Sequence, residues 1–191
     1  MQQTNLVDQS DLPERRISPI RFLGALSKPE CAKTIAMGLS QGLVSGEMYA
    51  PVEGYRESLI SFIGRAPESE WLYEKACALG QSANREFGFE VDFEAPLIQY
   101  TQYSVNGMID WHTDYDYVGQ NPRKVSISIQ LSDPGEYRGG ELEFFPHGEV
   151  RWGRGKGTAI VFPSFVQHRV KPLTRGTRKS LVVWFSGPPF R

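Results

Sequence analysis

From about residue 90 onward, the chain consists of short runs of β-branched and aromatic residues, which glycine, proline and aspartate interrupt. The runs are PLIQYTQYSV, KVSISIQLS, GELEFF, GTAIVFPS, QHRVKP and KSLVVWFSG. Such closely spaced short strands are typical of an antiparallel sandwich or barrel. The C-terminal half of the chain is therefore predicted to be an all-β core.

The N-terminal half is predicted to support that core with helices. A short strand in ISPIRFLGAL leads into a helix that Ser27 can cap, with Pro29 in its first turn. The clearest helix covers residues 66–88, with Pro67 near its start and Gly88 at its end. The segment between these two helices mixes strand and loop.

Charge and cysteine content exclude several classes of function. The formal net charge is -1, which argues against general binding to a polyanion. Cys31 and Cys77 are the only cysteines and lie far apart, so neither a disulfide framework nor a thiolate zinc site is expected. The polar N-terminus has no apolar stretch like that of a signal peptide, and no apolar run approaches the ~20 residues of a membrane span. These features predict a soluble cytoplasmic protein that does not contact a membrane.

The chain has three histidines that could bind a metal: His112, His147 and His168. In an extended strand, residues i and i+2 share one face, so His112 and Asp114 in DWHTDYD can present an imidazole and a carboxylate to one metal ion. A second histidine would complete the donor set of the non-haem iron(II) oxygenases. His168 lies in the strand-like run FPSFVQHRV and is the better third ligand, because His147 lies in a run typical of a hairpin loop.

Structural roles for these residues stay open on spacing alone. A His-x-Asp pair is common by chance and more often belongs to a surface turn than to a ligand pair. His168 could be a satisfied core or surface histidine. Asp110 and Asp116 are expected to be hydrated loop carboxylates, although Asp116 shares strand parity with His112 and so competes with Asp114.

The order of the motifs is more specific than any one of them. YSVNGMIDWHTD is followed by RKVSISIQLSDPGEYRGGELEFF and then by GTAIVFPSFVQHRVKPLTRGTRKSLVVWFSGPP. In this order, residues from about 97 to 188 resemble the iron(II)/2-oxoglutarate-dependent dioxygenases, and most of all their prolyl-4-hydroxylase-like branch. The resemblance implies a mostly β fold with supporting helices, in which N-terminal helices precede a double-stranded β-helix, a jelly-roll or cupin-like core of two facing sheets. We expect a flexible N-terminal arm (1–16) and a single catalytic domain (17–191), made of helical support (17–90) and β-helix core (91–188).

The resemblance places the metal triad on His112, Asp114 and His168. It places the basic residue that binds the distal carboxylate of 2-oxoglutarate on Arg178. Arginine suits this role because its planar guanidinium can form two parallel hydrogen bonds with a carboxylate. Strand alternation lets only one of Arg178 and Lys179 face inward, and Lys179 stays the alternative because lysine has this role in some relatives.

Three further residues are candidates for contacts with 2-oxoglutarate. Ser180 shares the predicted inward face of its strand with Arg178. Tyr103 precedes the His-x-Asp pair as a family tyrosine does, and its alternative role is that of a barrel-wall aromatic. Gln130 lies where some relatives carry a tyrosine or threonine, and its amide could donate to the same carboxylate. The paired glycines of GGEL (139–142) are predicted to form a bulge or tight turn before a strand.

The resemblance implies an enzyme that uses Fe(II), 2-oxoglutarate and O2, with ascorbate as a stimulant, to hydroxylate an unactivated C–H bond. The expected substrate is an amino-acid residue of a protein or peptide. The alternatives are hydroxylation of a free amino acid or a small natural-product intermediate, nucleic-acid demethylation, and a non-catalytic β-barrel binding module. Asp114 argues against halogenation, because halogenating relatives have a small residue in its place, whereas desaturation stays an alternative. Trp111 and Trp184 are predicted either to shape a dry pocket or to belong to the core.

Two segments are candidates for a lid over the site: APVEGYRES (50–58) and YDYVGQNPRK (115–124). Within them, Arg56, Tyr115 and Tyr117 could contact a substrate, with solvated loop residues as the alternative. Oligomeric state is not predictable from these features.

Overall fold

The computed structural model describes residues 17–46, 54–115, 121–146, 148–149 and 153–190. The helices are α1 (Lys28–Ser40) and α2 (Glu70–Phe87). The strands are β1 (Ile20–Phe22), β2 (Val44–Ser45), β3 (Arg56–Glu57), β4 (Leu59–Phe62), β5 (Leu97–Tyr103), β6 (Met108–His112), β7 (Arg123–Gln130), β8 (Tyr137–Gly139), β9 (Leu142–Phe144), β10 (Gly148–Glu149), β11 (Ala159–Pro163), β12 (His168–Val170), β13 (Leu173–Gly176) and β14 (Arg178–Ser186). The predicted arm (1–16), His147, Asp116 and Tyr117 lie outside the described residues, as do residues 50–53 and 116–120 of the two predicted lid segments.

Two antiparallel sheets pack against each other. The larger has the strand order β1-β11-β7-β14-β5-β4-β2, and the smaller has the order β10-β9-β12-β6-β3. Strands β13 and β8 form a separate antiparallel pair. The mostly β class with supporting helices is therefore confirmed.

Helix α1 begins as predicted, with Ser27 at the N-cap. The Ser27 Oγ accepts a hydrogen bond from the Glu30 N–H at 3.4 Å, and the Glu30 carboxylate accepts one from the Ser27 N–H at 2.7 Å. This capping box satisfies amide groups at the helix start that would otherwise lack partners. The same carboxylate lies 2.8 Å from the Lys75 Nζ of α2, so it also links the two helices.

Helix α2 ends at Gly88, whose φ of 67° lies in the left-handed region that favours glycine. Its buried face packs on the outer side of the larger sheet. This first core joins Leu72, Ala76 and Phe87 of the helix to Ile98, Val125, Ile127, Leu181, Val183 and Phe185 of the sheet.

A second core lies between the two sheets. It includes Tyr103, Ile109, Leu142, Phe144, Ile160, Phe162 and Val170. The larger sheet also buries polar side chains: Gln99, Thr101, Ser126, Gln130, Arg178 and Ser180. Buried polar groups cost free energy unless they find partners, so this concentration of them indicates a binding site.

The described part of residues 17–90, predicted as helical support, also contributes four short strands. Strand β1 borders β11, β4 and β2 extend the larger sheet beyond β5, and β3 borders β6 in the smaller sheet. These additions cover sheet edges whose backbone groups would otherwise stay unpaired. Two of the four strands have only two residues each, too few for an alternation pattern to be read from sequence.

No helix among the described residues is both long enough and apolar enough to cross a membrane. The division of the chain into an arm and a single catalytic domain stays a prediction.

Candidate metal centre and its cavity

His112, Asp114 and His168 converge between the two sheets. His112 is the last residue of β6, His168 is the first residue of β12, and the two are paired across these strands. Asp114 lies two residues past β6, where its N–H donates to the Ser164 carbonyl oxygen at 2.9 Å. One ligand atom from each of the three residues lies within 4.8 Å of the others.

A β-bulge in β6 directs side chains toward this centre. His112 pairs with His168, but Ile109 pairs with Val170, so a three-residue step on β6 matches a two-residue step on β12. Ile109 and His112 consequently both line the same cavity, whereas Asp110 is exposed. Bulges commonly redirect side chains next to active sites in this way.

Each histidine is held through its Nδ1 atom. The His112 Nδ1 lies 2.7 Å from the Asp110 carbonyl oxygen, and the His168 Nδ1 lies 3.0 Å from the Val166 carbonyl oxygen. Because a carbonyl oxygen only accepts, a neutral ring in either position carries its proton on Nδ1 and keeps a lone pair on Nε2. Each Nε2 atom lies 3.7 Å from an oxygen of Asp114.

The charge states of the centre favour a cation. Burial lowers the pKa of His112 to about 4, and the neighbouring His168 acts in the same direction, so the His112 ring is neutral near pH 7. Burial raises the pKa of Asp114, but the two histidines and the Ser126 hydroxyl outweigh that effect, so its pKa is lowered and the group is ionised. The Asp114 Oδ2 is buried and has no hydrogen-bond partner among the described residues.

These observations fit a divalent first-row metal. A buried carboxylate oxygen without a partner is costly, and a metal bound beside it would offset that cost. Two imidazole nitrogens and one carboxylate form the donor set typical of non-haem iron(II) oxygenases. The His168 ring also packs against Phe162 at 4.7 Å and Phe144 at 5.8 Å between centroids, which shields one side of the centre from water.

The triad opens into a cavity of about 290 Å³ between the sheets. Strand β14 lines it with alternate residues: Arg178, Ser180, Val182 and Trp184. The intervening Leu181, Val183 and Phe185 belong to the core under the helices. Arg178, and not Lys179, is thus the basic residue of the pair that faces the cavity.

Arg178 is a buried cation without an acidic partner in the described part of the chain. Its side chain is 4% exposed, and no described carboxylate lies within 4.0 Å of its guanidinium. Its Nη1 lies 3.5 Å from the Ser180 Oγ, and its Cζ lies 5.4 Å from the centre of the Tyr103 ring. A Cβ at Gly140 would lie 2.6 Å from the Leu173 Cδ1 and 3.1 Å from the Arg178 Cδ, so this glycine of the GGEL turn leaves room for both side chains. An unpaired buried guanidinium is a site for an anion.

The remaining predicted contacts divide into two groups. Tyr103 and Ser180 line the main cavity, and burial raises the pKa of the Tyr103 hydroxyl. Gln130 does not line it. It lies with Arg178 in a small adjoining cavity, where its Nε2 is 3.5 Å from the Ser132 carbonyl oxygen. The structure therefore brings Tyr103 and Ser180 to the cavity side of Arg178 and leaves Gln130 to one side.

The two tryptophans also differ. Trp184 lines the cavity and is 7% exposed. Trp111 does not line it, and its ring instead lies 4.6 Å from the Cζ of Arg169, which also binds Glu143. Trp111 therefore does not shape this cavity, because it neighbours His112 on the strand and its side chain lies on the other side.

Sequence reasoning missed Ser126, Gln99 and Arg123. The Ser126 Oγ lies 2.8 Å from the Ser164 Oγ, beside the Asp114 carboxylate, and the other two line the cavity. A signal for Ser126 was present in KVSISIQ, where serine alternates with valine and isoleucine as expected for a strand with one polar face.

Comparison with known proteins agrees with this geometry. Residues 98–186 match the family model described as 2OG-Fe(II) oxygenase superfamily. A PKHD-type hydroxylase of Sphingopyxis alaskensis is 38% identical over 98 residues, which are 49% of this chain and 44% of that protein. A Pseudomonas putida prolyl-4-hydroxylase has a TM-score of 0.70 at 20% identity, over 90% of this chain and 93% of that chain. A Trichoplax adhaerens prolyl hydroxylase, solved in complex with a hypoxia inducible factor oxygen degradation domain peptide fragment, has a TM-score of 0.73 at 17% identity, over 90% and 84%.

The segment that matches the 2OG-Fe(II) oxygenase superfamily, residues 98–186, contains all three residues of the donor set, so the chain is similar to that superfamily in both its core and its site. The proteins that it resembles include a PKHD-type hydroxylase and prolyl hydroxylases. The structural likeness confirms the predicted jelly-roll core. The superfamily that matches implies Fe(II) and 2-oxoglutarate as cofactor and cosubstrate. The chain spans less than half the length of the curated relatives that it matches, with 44% and 40% for the first two.

Proposed function

We propose that this protein is an Fe(II)/2-oxoglutarate-dependent dioxygenase that hydroxylates an unactivated C–H bond on an amino-acid residue of a protein or peptide. One observation carries the proposal. A single cavity is lined by the His112, Asp114 and His168 donor set and by Arg178, a buried cation without a described acidic partner.

The relatives support an amino-acid residue as the substrate. The Sphingopyxis alaskensis protein is a PKHD-type hydroxylase, and the solved structures reported above are prolyl hydroxylases, one of them with a peptide bound. We also propose that the protein acts in the cytoplasm, where its free cysteines, Cys31 and Cys77, would stay reduced.

In this proposal, the Nε2 atoms of His112 and His168 and the carboxylate of Asp114 hold iron(II). When bound, the iron together with 2-oxoglutarate and oxygen supplies the oxidising power for hydroxylation, with succinate and carbon dioxide as co-products. The backbone carbonyls at Nδ1 fix both rings, so the ligand nitrogens need no reorganisation on metal binding.

Arg178 binds the distal carboxylate of 2-oxoglutarate through its guanidinium. Ser180 and Tyr103 flank that guanidinium on the cavity side, and we propose that their hydroxyl groups orient the same carboxylate. Gln130 lies with Arg178 in the adjoining cavity and does not line the main one.

Apolar side chains keep the centre dry. Phe144 and Phe162 cover His168, and Trp184 forms part of the wall beside Asp114. Excluding water strengthens the electrostatic contacts of the site and protects a reactive oxidant from side reactions.

The proposal is tested by anaerobic addition of iron(II) and 2-oxoglutarate to the purified protein. We expect a visible charge-transfer absorption band that is lost in His112→Ala and in Asp114→Ala. Asp92→Asn, which changes an exposed carboxylate outside the site, serves as the matched control and should keep the band. A band of unchanged intensity in both triad variants would refute the proposed centre.

A further inference from the structure

Among the described residues, two arginines besides Arg178 line the cavity, one from each sheet. Arg56 is the first residue of β3 in the smaller sheet, and Arg123 is the first residue of β7 in the larger sheet. Both are partly exposed, as expected for residues near an opening of the cavity. Neither is needed for the metal or for the distal carboxylate of 2-oxoglutarate.

Arg56 is fixed by the side chain of Ser58 and by close packing at Gly46. Its Nε donates to the Ser58 Oγ at 2.8 Å. A Cβ at Gly46 would lie 2.6 Å from that Nε and 3.0 Å from the Cζ, so the glycine at this position leaves room for the guanidinium. Among the described residues, no carboxylate lies within 4.0 Å of Arg56, and only its Nε makes a side-chain hydrogen bond.

Arg123 is held by an aromatic surface instead. Its Cζ lies 4.1 Å from the centre of the Trp184 ring, a stacking contact that leaves the edge of the guanidinium open to hydrogen bonding. Within the described chain, no carboxylate lies within 4.0 Å of this arginine either. Two cations that line the same cavity are therefore positioned without a described counter-charge.

When metal and 2-oxoglutarate are bound, the charges of the site balance without Arg56 and Arg123. A divalent metal and Arg178 together balance the Asp114 carboxylate and the two carboxylates of 2-oxoglutarate. Among the described residues that line the cavity, Asp114 is the only acidic one. A neutral or cationic substrate would therefore leave Arg56 and Arg123 uncompensated in a space partly closed to water.

We infer that Arg56 and Arg123 bind a carboxylate of the primary substrate close to the carbon that is oxidised. This inference rests on the proposed function and narrows its substrate class to acidic substrates. This carboxylate belongs to one of two kinds of substrate. It is either the α-carboxylate of a free amino acid, or the side chain of an aspartate or glutamate next to the target residue in a peptide. Both present the same planar anion, which matches the hydrogen-bonding edge of a guanidinium.

The test measures binding to the anaerobic holoenzyme with iron(II) and 2-oxoglutarate, with the charge-transfer band as the check that the centre is assembled. One arm offers the common amino acids and, separately, their amides. The other arm offers two peptide pools with a randomised central residue, flanked by glutamate in one pool and by glutamine in the other. Ultrafiltration followed by mass spectrometry identifies the probes that the protein retains.

We expect at least one acidic probe to be retained about tenfold or more above its amide counterpart, since hydrogen bonds to charged groups contribute about that much. Arg56→Gln and Arg123→Gln should each reduce the retention of that probe by about tenfold or more, and should keep the charge-transfer band. Arg138→Gln removes the same charge from an exposed position on β8 and should change neither. The arm that retains probes identifies the source of the carboxylate.

Three outcomes would overturn the inference: equal retention of acidic and amide probes, no retention of any acidic probe, or an acid preference that survives both substitutions. Absence of the band in the unaltered protein is a different result, because it refutes the proposed function. The comparison of acids with amides still decides the role of the arginines in that case, since it measures binding and not turnover.

Discussion

His112 and His168 face each other across β6 and β12 with their ring centroids 4.2 Å apart, and each ring is fixed by the carbonyl oxygen two residues before it. The same local arrangement thus occurs on two strands that are distant in sequence. It leaves both Nε2 atoms 3.7 Å from the oxygens of Asp114. Because the fixing atoms belong to the backbone, the arrangement depends on the fold of the strands and not on a neighbouring side chain.

Metal binding should stabilise the protein through this arrangement. A ligand that binds only the folded state adds about 2.7 kcal/mol at a concentration of a hundred times its Kd, so Mn²⁺ should raise the Tm. Asp114→Asn should lose most of that rise because it removes the charged ligand. Differential scanning fluorimetry with and without Mn²⁺ measures the difference. Asp92→Asn should keep the full rise, and an equal rise in the Asp114 variant would refute the triad.

Arg178 and Lys179 allow a direct comparison of two neighbouring cations. Arg178→Gln should weaken 2-oxoglutarate binding by about tenfold to a hundredfold, the effect of losing hydrogen bonds to a charged group. Lys179→Gln should have little effect, because Lys179 does not line the cavity. Anaerobic titration of the charge-transfer band gives both affinities. Similar losses in the two variants would show that net charge, and not a specific contact, binds the cosubstrate.

Ser126 should act as a positioning residue for Asp114. Its buried hydroxyl lies 2.8 Å from the Ser164 Oγ and beside the Asp114 carboxylate, whose pKa it helps to lower. Groups that orient metal ligands typically change metal affinity tenfold to a hundredfold when removed, so Ser126→Ala should weaken Mn²⁺ binding by about tenfold. Ser128→Ala, on the same strand face, is the comparison. Calorimetry measures both Mn²⁺ affinities. Equal affinities for Ser126→Ala and the unaltered protein would refute this role.

Strand alternation explains why much of the fold was predictable. In β7, Val125 and Ile127 pack under the helices, whereas Ser126 faces the other sheet, as the run KVSISIQ indicates. In β14, the same rule separates Arg178 from Lys179. A period of two residues is readable from sequence wherever a strand is long enough and one of its faces is apolar.

The remaining features depend on contacts between distant segments. The β6 bulge, which brings Ile109 and His112 to the same cavity, exists only relative to β12 and leaves no mark in the sequence of β6. Gln130 has the parity of an inward residue but lies beyond Arg178, in a cavity that the turn at Gly140 helps to form. Arg123 lines the site through its contact with Trp184, 61 positions further along the chain.

Gly38 is expected to limit how closely α1 packs on β5. A Cβ at Gly38 would lie 2.6 Å from the Cβ of Tyr100, which is fully buried and cannot move aside. Gly38→Ala should therefore destabilise the fold by about 1–3 kcal/mol through overpacking, and the gain in helix propensity of up to about 1 kcal/mol offsets only part of that. Urea unfolding measures the change. Gly64→Ala, where no atom lies within 4 Å of the added Cβ, should not destabilise, and equal losses in the two variants would contradict the packing argument.

Glu30 should make the stability of α1 depend on pH. The Lys75 ammonium, followed by the N–H and hydroxyl of Ser27, lowers the pKa of Glu30 from 4.5 to about 2. Because the folded pKa lies below the unfolded one, the contribution of this carboxylate is present above pH 4.5 and is lost as the pH falls toward 2.

Glu30→Gln should therefore be less stable than the unaltered protein at pH 6, by no more than about 1 kcal/mol because the ion pair is near the surface. The difference should shrink as the pH approaches 3. Urea unfolding at several pH values measures it, and Glu74→Gln, an exposed acid on α2, should show no such trend. A difference that stays constant from pH 6 to pH 3 would mean that Glu30 acts through packing, because only the ionised carboxylate can pair with Lys75 and accept the Ser27 hydrogen bonds at full strength.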